Sequence, residues 1–291
     1  MKILIIIVIC LLLFVVADSI ADNNLIDISR WELTDKRLKR DCRIVFLSDL
    51  HDNKLGKDNS KLVELIEKEK PDLILVGGDM ITAKPGCSYD GAVKLMSRLS
   101  QLKIPIIYGM GNHEYRMKIY PEDYGDLYDR FMEELKSLGV NVVCNDNVVL
   151  EEFGIDVQGL MLDRVYYKRW KGREVPGRED IQKMVSQKKS NEYRILLAHN
   201  PEFFNSYEEE ADLILSGHFH GGIARIPGVG GIISPRLTLF PKYSGGRYEA
   251  KENEHLTTML VSRGLGSHTI PVRVFNRIEL PVIELKGDNR L

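Results

Sequence analysis

Five short polar groups, each directly after an apolar run, carry the residue types in this chain that are best suited to chemistry. They are Ser48-Asp49-Leu50-His51, Gly77-Gly78-Asp79, Gly111-Asn112-His113-Glu114, Ala198-His199-Asn200 and Gly217-His218-Phe219-His220-Gly221. Loops at the ends of buried strands are where α/β proteins build their sites. Carboxylates, imidazoles and a side-chain amide are ligands for divalent transition metals, and one carboxylate has enough oxygens to bridge two ions.

The spacing inside two of these groups also favours metal binding. Side chains at positions i and i+2 of an extended segment point the same way. Asp49 and His51, and likewise His218 and His220, can therefore reach one centre. Two ions about 3.5–4 Å apart can clamp both oxygens of an in-line phosphoryl displacement. Each group alone is more typical of a loop or turn, but all five in this order predict a dinuclear metal site.

The segments around these groups predict the elements that position them. Apolar runs predict buried strands, and segments with one apolar face predict helices. Strands are predicted at 26–33, 43–48, 72–76, 104–108, 140–149, 155–160, 193–198, 212–215, 257–262 and 273–285, and helices at 58–70, 90–103 and 121–138. This alternation predicts one α/β sandwich domain with two mixed sheets flanked by helices.

Composition excludes several classes of protein. The chain has 291 residues, of which 44% are hydrophobic, so it can bury a sizeable core and is not a disordered protein. Its 40 basic and 42 acidic residues give a net charge of −2, which disfavours nucleic acid as a partner. Four cysteines without a CxxC pair indicate neither a zinc knuckle nor a redox dithiol.

The N-terminus has the layout of a signal peptide or signal anchor. An apolar run from Ile3 to Ala17 follows Lys2, so residues 1–24 are assigned to this leader and residues 25–291 to the folded domain. The run is shorter than the roughly 20 residues of an ordinary membrane span. Small residues at Ala17 and Ala21 permit cleavage. A retained anchor is slightly favoured, and both outcomes place the domain outside the cytoplasmic membrane.

The order DxH, GD, GNHE, H and GHxH resembles the calcineurin-like metallophosphoesterases. Residues 221–285 are similar to the membrane- or envelope-associated bacterial YkuE/YaeI-like subgroup. The resemblance covers about residues 25–285 and implies a four-layer α/β/β/α sandwich with a dinuclear centre between its sheets. It further implies a phosphoesterase, more specifically a phosphodiesterase, in which a metal-bridging hydroxide attacks phosphorus in line, at the cell envelope.

The resemblance implies seven metal ligands divided between two ions: Asp49, His51 and His220 for one, Asn112, His199 and His218 for the other, and Asp79 as the bridge. His113 matches the family's non-ligand histidine, which stabilises developing charge or protonates the leaving oxygen. Manganese is the preferred metal, while zinc or iron would suit the same mixed nitrogen and oxygen ligands.

The sequence departs from one pattern of the superfamily. Protein serine/threonine phosphatases carry GDxVDRG, whose second aspartate pairs with the catalytic histidine, and Thr82 stands at that position here. The departure argues against a protein phosphatase and leaves open what orients His113. Asp52 and Glu114 are candidates for orienting the imidazoles, and Arg263 in a glycine loop is a candidate for contacting substrate phosphate. All three are also plausible structural residues.

Other features leave alternatives open. A basic aromatic cluster at Tyr166, Tyr167, Arg169 and Trp170 could contact lipid headgroups or substrate, or form an ordinary surface loop. The expected substrate is an envelope phosphodiester or a lipid-linked pyrophosphate. The motifs are also compatible with an exported phosphomonoesterase, and an inactive binding scaffold is disfavoured because every ligand type is present. The sequence does not predict the oligomeric state.

Overall fold

Fourteen strands and eight helices make up the described part of the chain. The computed structural model describes residues 1–167, 174–226, 228–234, 238–252, 255–267 and 271–287. The helices are α1 (Lys2–Asn24), α2 (Ser60–Glu69), α3 (Asp90–Ser100), α4 (Asn112–Ile119), α5 (Pro121–Tyr124), α6 (Leu127–Ser137), α7 (Arg178–Met184) and α8 (Phe204–Tyr207). Arg169, Trp170 and part of the glycine loop after Arg263 lie outside the described residues.

Two six-stranded sheets contain most of the strands. The first contains, in spatial order, β1 (Asp27–Asp35), β14 (Glu279–Gly287), β2 (Cys42–Leu47), β3 (Leu73–Val76), β4 (Ile106–Gly109) and β5 (Asn141–Val143). The second contains β12 (Gly246–Glu252), β13 (His255–Val261), β9 (Leu213–Ser216), β8 (Tyr193–Ala198), β7 (Ile155–Leu160) and β6 (Asn147–Leu150). A separate hairpin joins β10 (Ala224–Ile226) to β11 (Gly230–Ile233).

The sheets pack face to face, as the four-layer expectation requires. Phe46 and Leu75 of the first sheet share one core with Ile195 and Leu215 of the second. The outer face of the first sheet is covered by α2, α3 and α6, and that of the second by α7 and α8. Strands buried on both faces are largely apolar, which explains the apolar runs seen in the sequence.

The prediction of a single strand at 140–149 is wrong, and the difference determines how the chain passes between the sheets. The segment forms two strands, with β5 in the first sheet and β6 in the second. The chain changes sheet at Asn145, whose φ is 59°, a left-handed conformation that asparagine tolerates. The predicted helix at 121–138 is likewise divided, because Gly125 with φ 59° separates α5 from α6.

The predicted strand at 273–285 is also shorter than expected, because its first residues form a loop against α1. The last turns of α1 contact this loop: the Arg273 amide donates to Ser19 Oγ over 3.1 Å, and the Phe275 amide donates to Asp18 Oδ2 over 2.9 Å. Asp22 is buried and accepts a hydrogen bond from the Asn276 amide. In contrast, residues 1–17 of α1 are exposed on all sides, and α1 is long and apolar enough to cross a membrane.

Candidate metal centre

The predicted ligands lie together because parallel strands of both sheets end at one place. Asp49 and His51 follow β2, Asp79 follows β3, and Asn112 begins α4 directly after β4. These three strands are parallel neighbours in the first sheet. The remaining imidazoles, His199 after β8 and His218 and His220 after β9, come from parallel neighbours in the second sheet. The carboxyl ends of five strands therefore enclose one centre.

The distances connect the predicted ligands into one cluster, because His51 Nε2 lies 3.8 Å from Asp79 Oδ2 as well as close to Asp49. His220 Nε2 lies 3.6 Å from Asp49 Oδ1, and His51 Nε2 lies 3.9 Å from the same oxygen. His199 Nε2 lies 3.0 Å from Asp79 Oδ2. Ligand atoms that each lie about 2.0–2.2 Å from a shared ion are roughly 3–4 Å apart. Three overlapping groups of side chains lie close enough to hold an ion: Asp49, His51 and His220; His51, Asp79 and His113; and Asp79, His199 and His218.

Backbone strain is concentrated at these ligands. Left-handed φ values occur at five of the seven: Asp49 (51°), His51 (48°), Asp79 (54°), His218 (72°) and His220 (52°). Non-glycine residues rarely adopt this conformation, which costs about 1–3 kcal/mol per residue and clusters at functional sites. The packed scaffold holds these side chains in position against that strain.

Two glycines allow the close approach of the ligand loops. A Cβ atom at Gly217 would lie 2.0 Å from Asp49 Oδ2, and one at Gly111 would lie 2.2 Å from Asp79 Oδ1. Any side chain at these positions would therefore displace a ligand carboxylate.

The imidazoles are oriented by hydrogen bonds to their Nδ1 atoms. His199 Nδ1 lies 2.7 Å from the Gly77 carbonyl oxygen, and His220 Nδ1 lies 3.1 Å from the Gly266 carbonyl oxygen. A carbonyl only accepts, so both Nδ1 atoms carry the proton and donate. Each Nε2 then has a free lone pair for a metal. His51 Nδ1 meets the Thr82 hydroxyl at 3.3 Å.

His113 has the opposite arrangement. The Ala83 amide donates to His113 Nδ1 over 2.9 Å. An imidazole nitrogen that accepts a hydrogen bond carries no proton, so the proton of the neutral ring is on Nε2, which lies 4.0 Å from Asp79 Oδ2. His113 therefore presents an N–H donor to the centre, whereas the neutral rings of His199 and His220 present lone pairs at Nε2. The Ala83 amide is the partner that the sequence left unidentified.

The charges at the centre require cations. Burial opposes ionisation of Asp79, but His199, His113 and His51 outweigh it and hold the pKa of that carboxyl well below its usual range. Burial also disfavours a charged His199, yet Asp79 and Asp49 raise its pKa to about 10. The buried carboxylates thus draw positive charge into the centre, which divalent metals would supply.

Asn112 gives a further observation that the residues fit a metal. Its side-chain oxygen Oδ1 is buried and, among the described residues, accepts no hydrogen bond. The amide of the next residue, His113, donates to Asp79 Oδ1 over 2.8 Å. A buried acceptor without a partner costs about 1–3 kcal/mol, so the position of Asn112 favours coordination. Carboxylate, imidazole and amide ligands together suit manganese, iron or zinc.

Comparison with known proteins agrees with this geometry. The profile described as Calcineurin-like phosphoesterase matches residues 42–222. The chain belongs to this family. It is a metal-dependent hydrolase of phosphoric esters.

The curated relatives include members of the expected bacterial subgroup. The chain is 29% identical over 251 residues to the phosphodiesterase YaeI of Escherichia coli, covering 84% of this chain and 82% of YaeI. It is 27% identical over 252 residues to the metallophosphoesterase YkuE of Bacillus subtilis, covering 85% and 80%. A Campylobacter jejuni metallophosphoesterase, Cj0846, is 29% identical over 262 residues, and the chain spans 60% of its length.

Glu114 of this phosphoesterase joins two ligand loops. Its carboxylate accepts hydrogen bonds from the backbone amides of Asp79 (2.8 Å), Met80 (2.9 Å) and Gly111 (3.0 Å), and from the Tyr108 hydroxyl (2.8 Å). Burial, with the nearby charge of Asp79, raises the pKa of Glu114 to about 7. The sequence suggested that Glu114 orients imidazoles. These contacts instead give it the role of fixing the backbone on which Asp79 and Asn112 are carried.

Glu114→Gln is expected to lower both stability and metal affinity. The amide keeps one acceptor oxygen and turns an NH₂ group toward backbone N–H donors, so at least one buried hydrogen bond is lost, at a cost of about 1–3 kcal/mol. Denaturant unfolding and metal titration would measure the two effects. Tyr108→Phe is the matched control, since it removes one neutral donor and leaves three backbone contacts. Unchanged metal affinity in Glu114→Gln would show that the backbone contacts do not position the ligands.

The other predicted supporting residues have different partners. Asp52 Oδ2 accepts from the Thr82 amide over 2.9 Å, so Asp52 supports the threonine whose hydroxyl meets His51. The Arg263 guanidinium is engaged by the carboxylates of Asp27 and Glu279. These contacts tie Arg263 to two strands of the first sheet and do not support the predicted contact with substrate phosphate.

Sequence reasoning missed Arg273 and did not specify the contact of Tyr167. Arg273 is fully buried, and burial lowers its pKa to about 10. It donates to the carbonyl oxygen of Gly266, the same oxygen that receives the Nδ1 proton of His220. No motif marked it. The ring of Tyr167 lies 5.7 Å from that of His218, which brings part of the predicted aromatic cluster to the centre.

Proposed function

We propose that this chain is a dinuclear phosphodiesterase of the cell envelope. The proposal rests on one observation: beside the clustered metal-binding side chains stands a histidine, His113, whose Nδ1 accepts a hydrogen bond instead of donating one. Six of the seven proposed ligands and His113 lie in the three overlapping groups, and the Nδ1 atom of His113 receives a backbone N–H, whereas the Nδ1 atoms of His199 and His220 donate to carbonyl oxygens. This arrangement supports binding of two cations and one proton donor beside them. The name of YaeI, a phosphodiesterase, favours a diester over a monoester.

The protein's own residues bind the cations, orient the substrate and move a proton. Two divalent ions, when bound, supply an activated water and neutralise phosphate charge. Asp79 lies between the ligand groups and sets their separation. His113 Nε2–H donates to the leaving oxygen and stabilises its developing charge, while the Ala83 amide keeps the donor proton on Nε2. The buried walls exclude bulk water from the ligands.

Metal analysis coupled to turnover tests this proposal. The full-length chain in detergent is loaded with manganese, zinc or iron and its bound metal is measured by mass spectrometry. About two ions per chain are expected, together with metal-dependent hydrolysis of bis-p-nitrophenyl phosphate. Faster hydrolysis of p-nitrophenyl phosphate would instead identify a monoesterase. A folded chain that binds none of these metals would exclude the proposed centre.

We further infer that α1 is retained in the mature protein as a membrane anchor. Cleavage after Ala21 would remove Asp18 and Ser19, and cleavage after Ala17 would turn Asp18 into a free N-terminus. Both residues accept backbone hydrogen bonds from the loop that ends at Ile278. The Ile278 amide itself donates to the Asp22 carbonyl oxygen over 2.9 Å. The contacts of α1 with the domain favour retention, with the domain on the extracytoplasmic side.

Asp22→Ala is expected to lower the melting temperature by about 5 °C, because a hydrogen bond to a buried charged group contributes about 1.5–3 kcal/mol and a large domain shifts about 2–4 °C per kcal/mol. Asn24→Ala is the control, since its amide bonds only within α1, to the Ile20 carbonyl. Thermal unfolding of the full-length chain measures both variants. Intact mass of the membrane-purified protein tests retention directly, and loss of residues 1–21 would disprove it.

A further inference from the structure

Exposed large apolar side chains are concentrated beside α1. Beyond Leu25, the described part of the chain has seven of them: Val175, Ile226, Val229, Leu239, Phe240, Leu256 and Phe275. We call five of these, Ile226, Val229, Leu239, Phe240 and Phe275, the apolar surface. Soluble proteins rarely expose such groups together unless they contact a partner or a membrane.

Backbone pairing brings the apolar surface together. Ile226 ends β10, and Val229 lies in the turn between β10 and β11. Leu239 forms a bridge with Ile233 of β11, and the Phe240 amide donates to the Ile232 carbonyl over 2.7 Å. Ala224 at the start of β10 bridges Val274, next to Phe275. The five residues thus lie on one small layer built from the hairpin.

The apolar surface is continuous with the base of α1. The ring of Phe275 lies 6.0 Å from that of Phe14 in α1, and the Phe275 amide donates to Asp18. The surface therefore begins where the apolar helix leaves the domain. A bilayer around α1 would meet this part of the domain first. Aromatic and aliphatic side chains of this kind are buried at the boundary between headgroups and acyl chains.

The same region adjoins the metal centre. Only three residues separate the ligand His220 from Ala224, and the Asn276 side-chain amide donates to the His220 carbonyl over 2.8 Å. In addition, a cavity of about 290 Å³ is bordered by the predicted ligand His51 and by Ile20 and Asn23 of α1. A phosphoester at the centre thus lies close to the end of α1.

We propose that the apolar surface contacts the bilayer that holds α1, and that the centre hydrolyses phosphoesters carried by lipids of that bilayer. This inference rests on the proposed phosphoesterase function and on retention of α1, and it names the substrate class. The headgroup occupies the cavity between His51 and α1, while the acyl chains remain in the membrane beside the helix.

Two esters with the same reacting group test the substrate class. Full-length protein is reconstituted in phosphatidylcholine vesicles with manganese and offered ethyl or hexadecyl p-nitrophenyl phosphate. The expected kcat/KM is at least about tenfold higher for the hexadecyl ester, because its chain partitions into the membrane that holds the enzyme. Equal values for the two esters would overturn the inference. If neither ester is hydrolysed, the result counts against the proposed phosphoesterase function itself.

Matched variants that all retain α1 distinguish the effect of the apolar surface from the effect of membrane anchoring alone. The double variant Val229→Asp/Phe240→Asp is expected to reduce the preference for the hexadecyl ester at least about fivefold, while ethyl ester turnover stays unchanged. The control Val175→Asp/Leu256→Asp introduces the same charges at exposed apolar positions outside the surface. It should keep the wild-type preference. The same loss in both double variants would contradict a specific role for the surface.

Depth measurement gives a readout that does not depend on activity. Val229→Trp fluorescence, corrected for the two native tryptophans, should be strongly quenched by brominated phosphatidylcholine. The control is Val175→Trp, which should not be quenched. The native Val175 is 71% exposed and the native Val229 is 72% exposed, so the two sites are matched. Equal quenching at both sites would overturn the membrane contact. So would self-association in detergent that the double aspartate variant abolishes, because the surface would then bind a second copy.

Discussion

Asp79→Asn should release bound metal and lower kcat/KM for bis-p-nitrophenyl phosphate by at least about 10³-fold, the upper range for loss of one preorganised electrostatic contact. Asparagine has the same shape and keeps the oxygen that accepts a hydrogen bond from the His113 amide over 2.8 Å, so the fold should survive. It lacks the negative charge that faces His199 and His51. Metal content and turnover of the same preparation measure the effect.

Asp156→Asn provides the control for loss of a buried carboxylate. Asp156 lies in β7 and forms an ion pair with Arg194 over 2.6 Å, with both side chains almost fully buried. Breaking this pair should cost stability, about 3–5 kcal/mol, without reducing metal bound per folded chain. If Asp79→Asn retained both metals and full turnover, Asp79 would not be the bridging ligand.

His113→Ala should retain both metals and lose about 10²–10⁴-fold in kcat, the usual contribution of a positioned proton donor. The reason is the tautomer of His113: the Ala83 amide donates to Nδ1, so the ring proton is on Nε2, which faces the centre. A ligand substitution such as His199→Ala should instead lose metal. Metal content therefore distinguishes the two roles.

The leaving group provides a sharper test of the His113 role. A p-nitrophenolate leaves readily without a proton, whereas an alkyl or phenyl oxygen requires one. The loss of kcat in His113→Ala should therefore be larger for phenyl or alkyl esters than for the p-nitrophenyl ester. A loss that is equal for all leaving groups would indicate that His113 stabilises charge on phosphate oxygens and transfers no proton.

The clustering of the predicted ligands could be foreseen because the local signals and the topology agree. Each group follows a short, mainly apolar run, such as β3, and parallel order then brings the groups to one edge. Such runs are recognisable because both faces of these strands are buried. The break at Asn145 was missed although Asn145-Asp146-Asn147 is a turn signal inside the apolar run. The pairing of its two halves with different sheets depends on tertiary packing, which the local sequence does not record.

The supporting contacts were less predictable, because backbone groups carry them. The orientation of His113 depends on the amide of Ala83, and the position of His220 depends on the carbonyl of Gly266. No side-chain type records either contact in the sequence. Arg273 was missed for a related reason: it donates to carbonyl oxygens and a hydroxyl, while motif searches look for partners of opposite charge.

The strand order of the first sheet has a consequence for biosynthesis. β14, which follows the other described strands in the sequence, lies between β1 and β2 and pairs with both. Until it arrives, the two early strands have unpaired edges, although α1 is already available for membrane insertion. Such long-range pairing is slow and leaves an intermediate prone to aggregation. The first sheet should therefore form only after β14 has been synthesised, and a chain that stops before residue 279 should leave β1 and β2 unpaired with each other and be degraded.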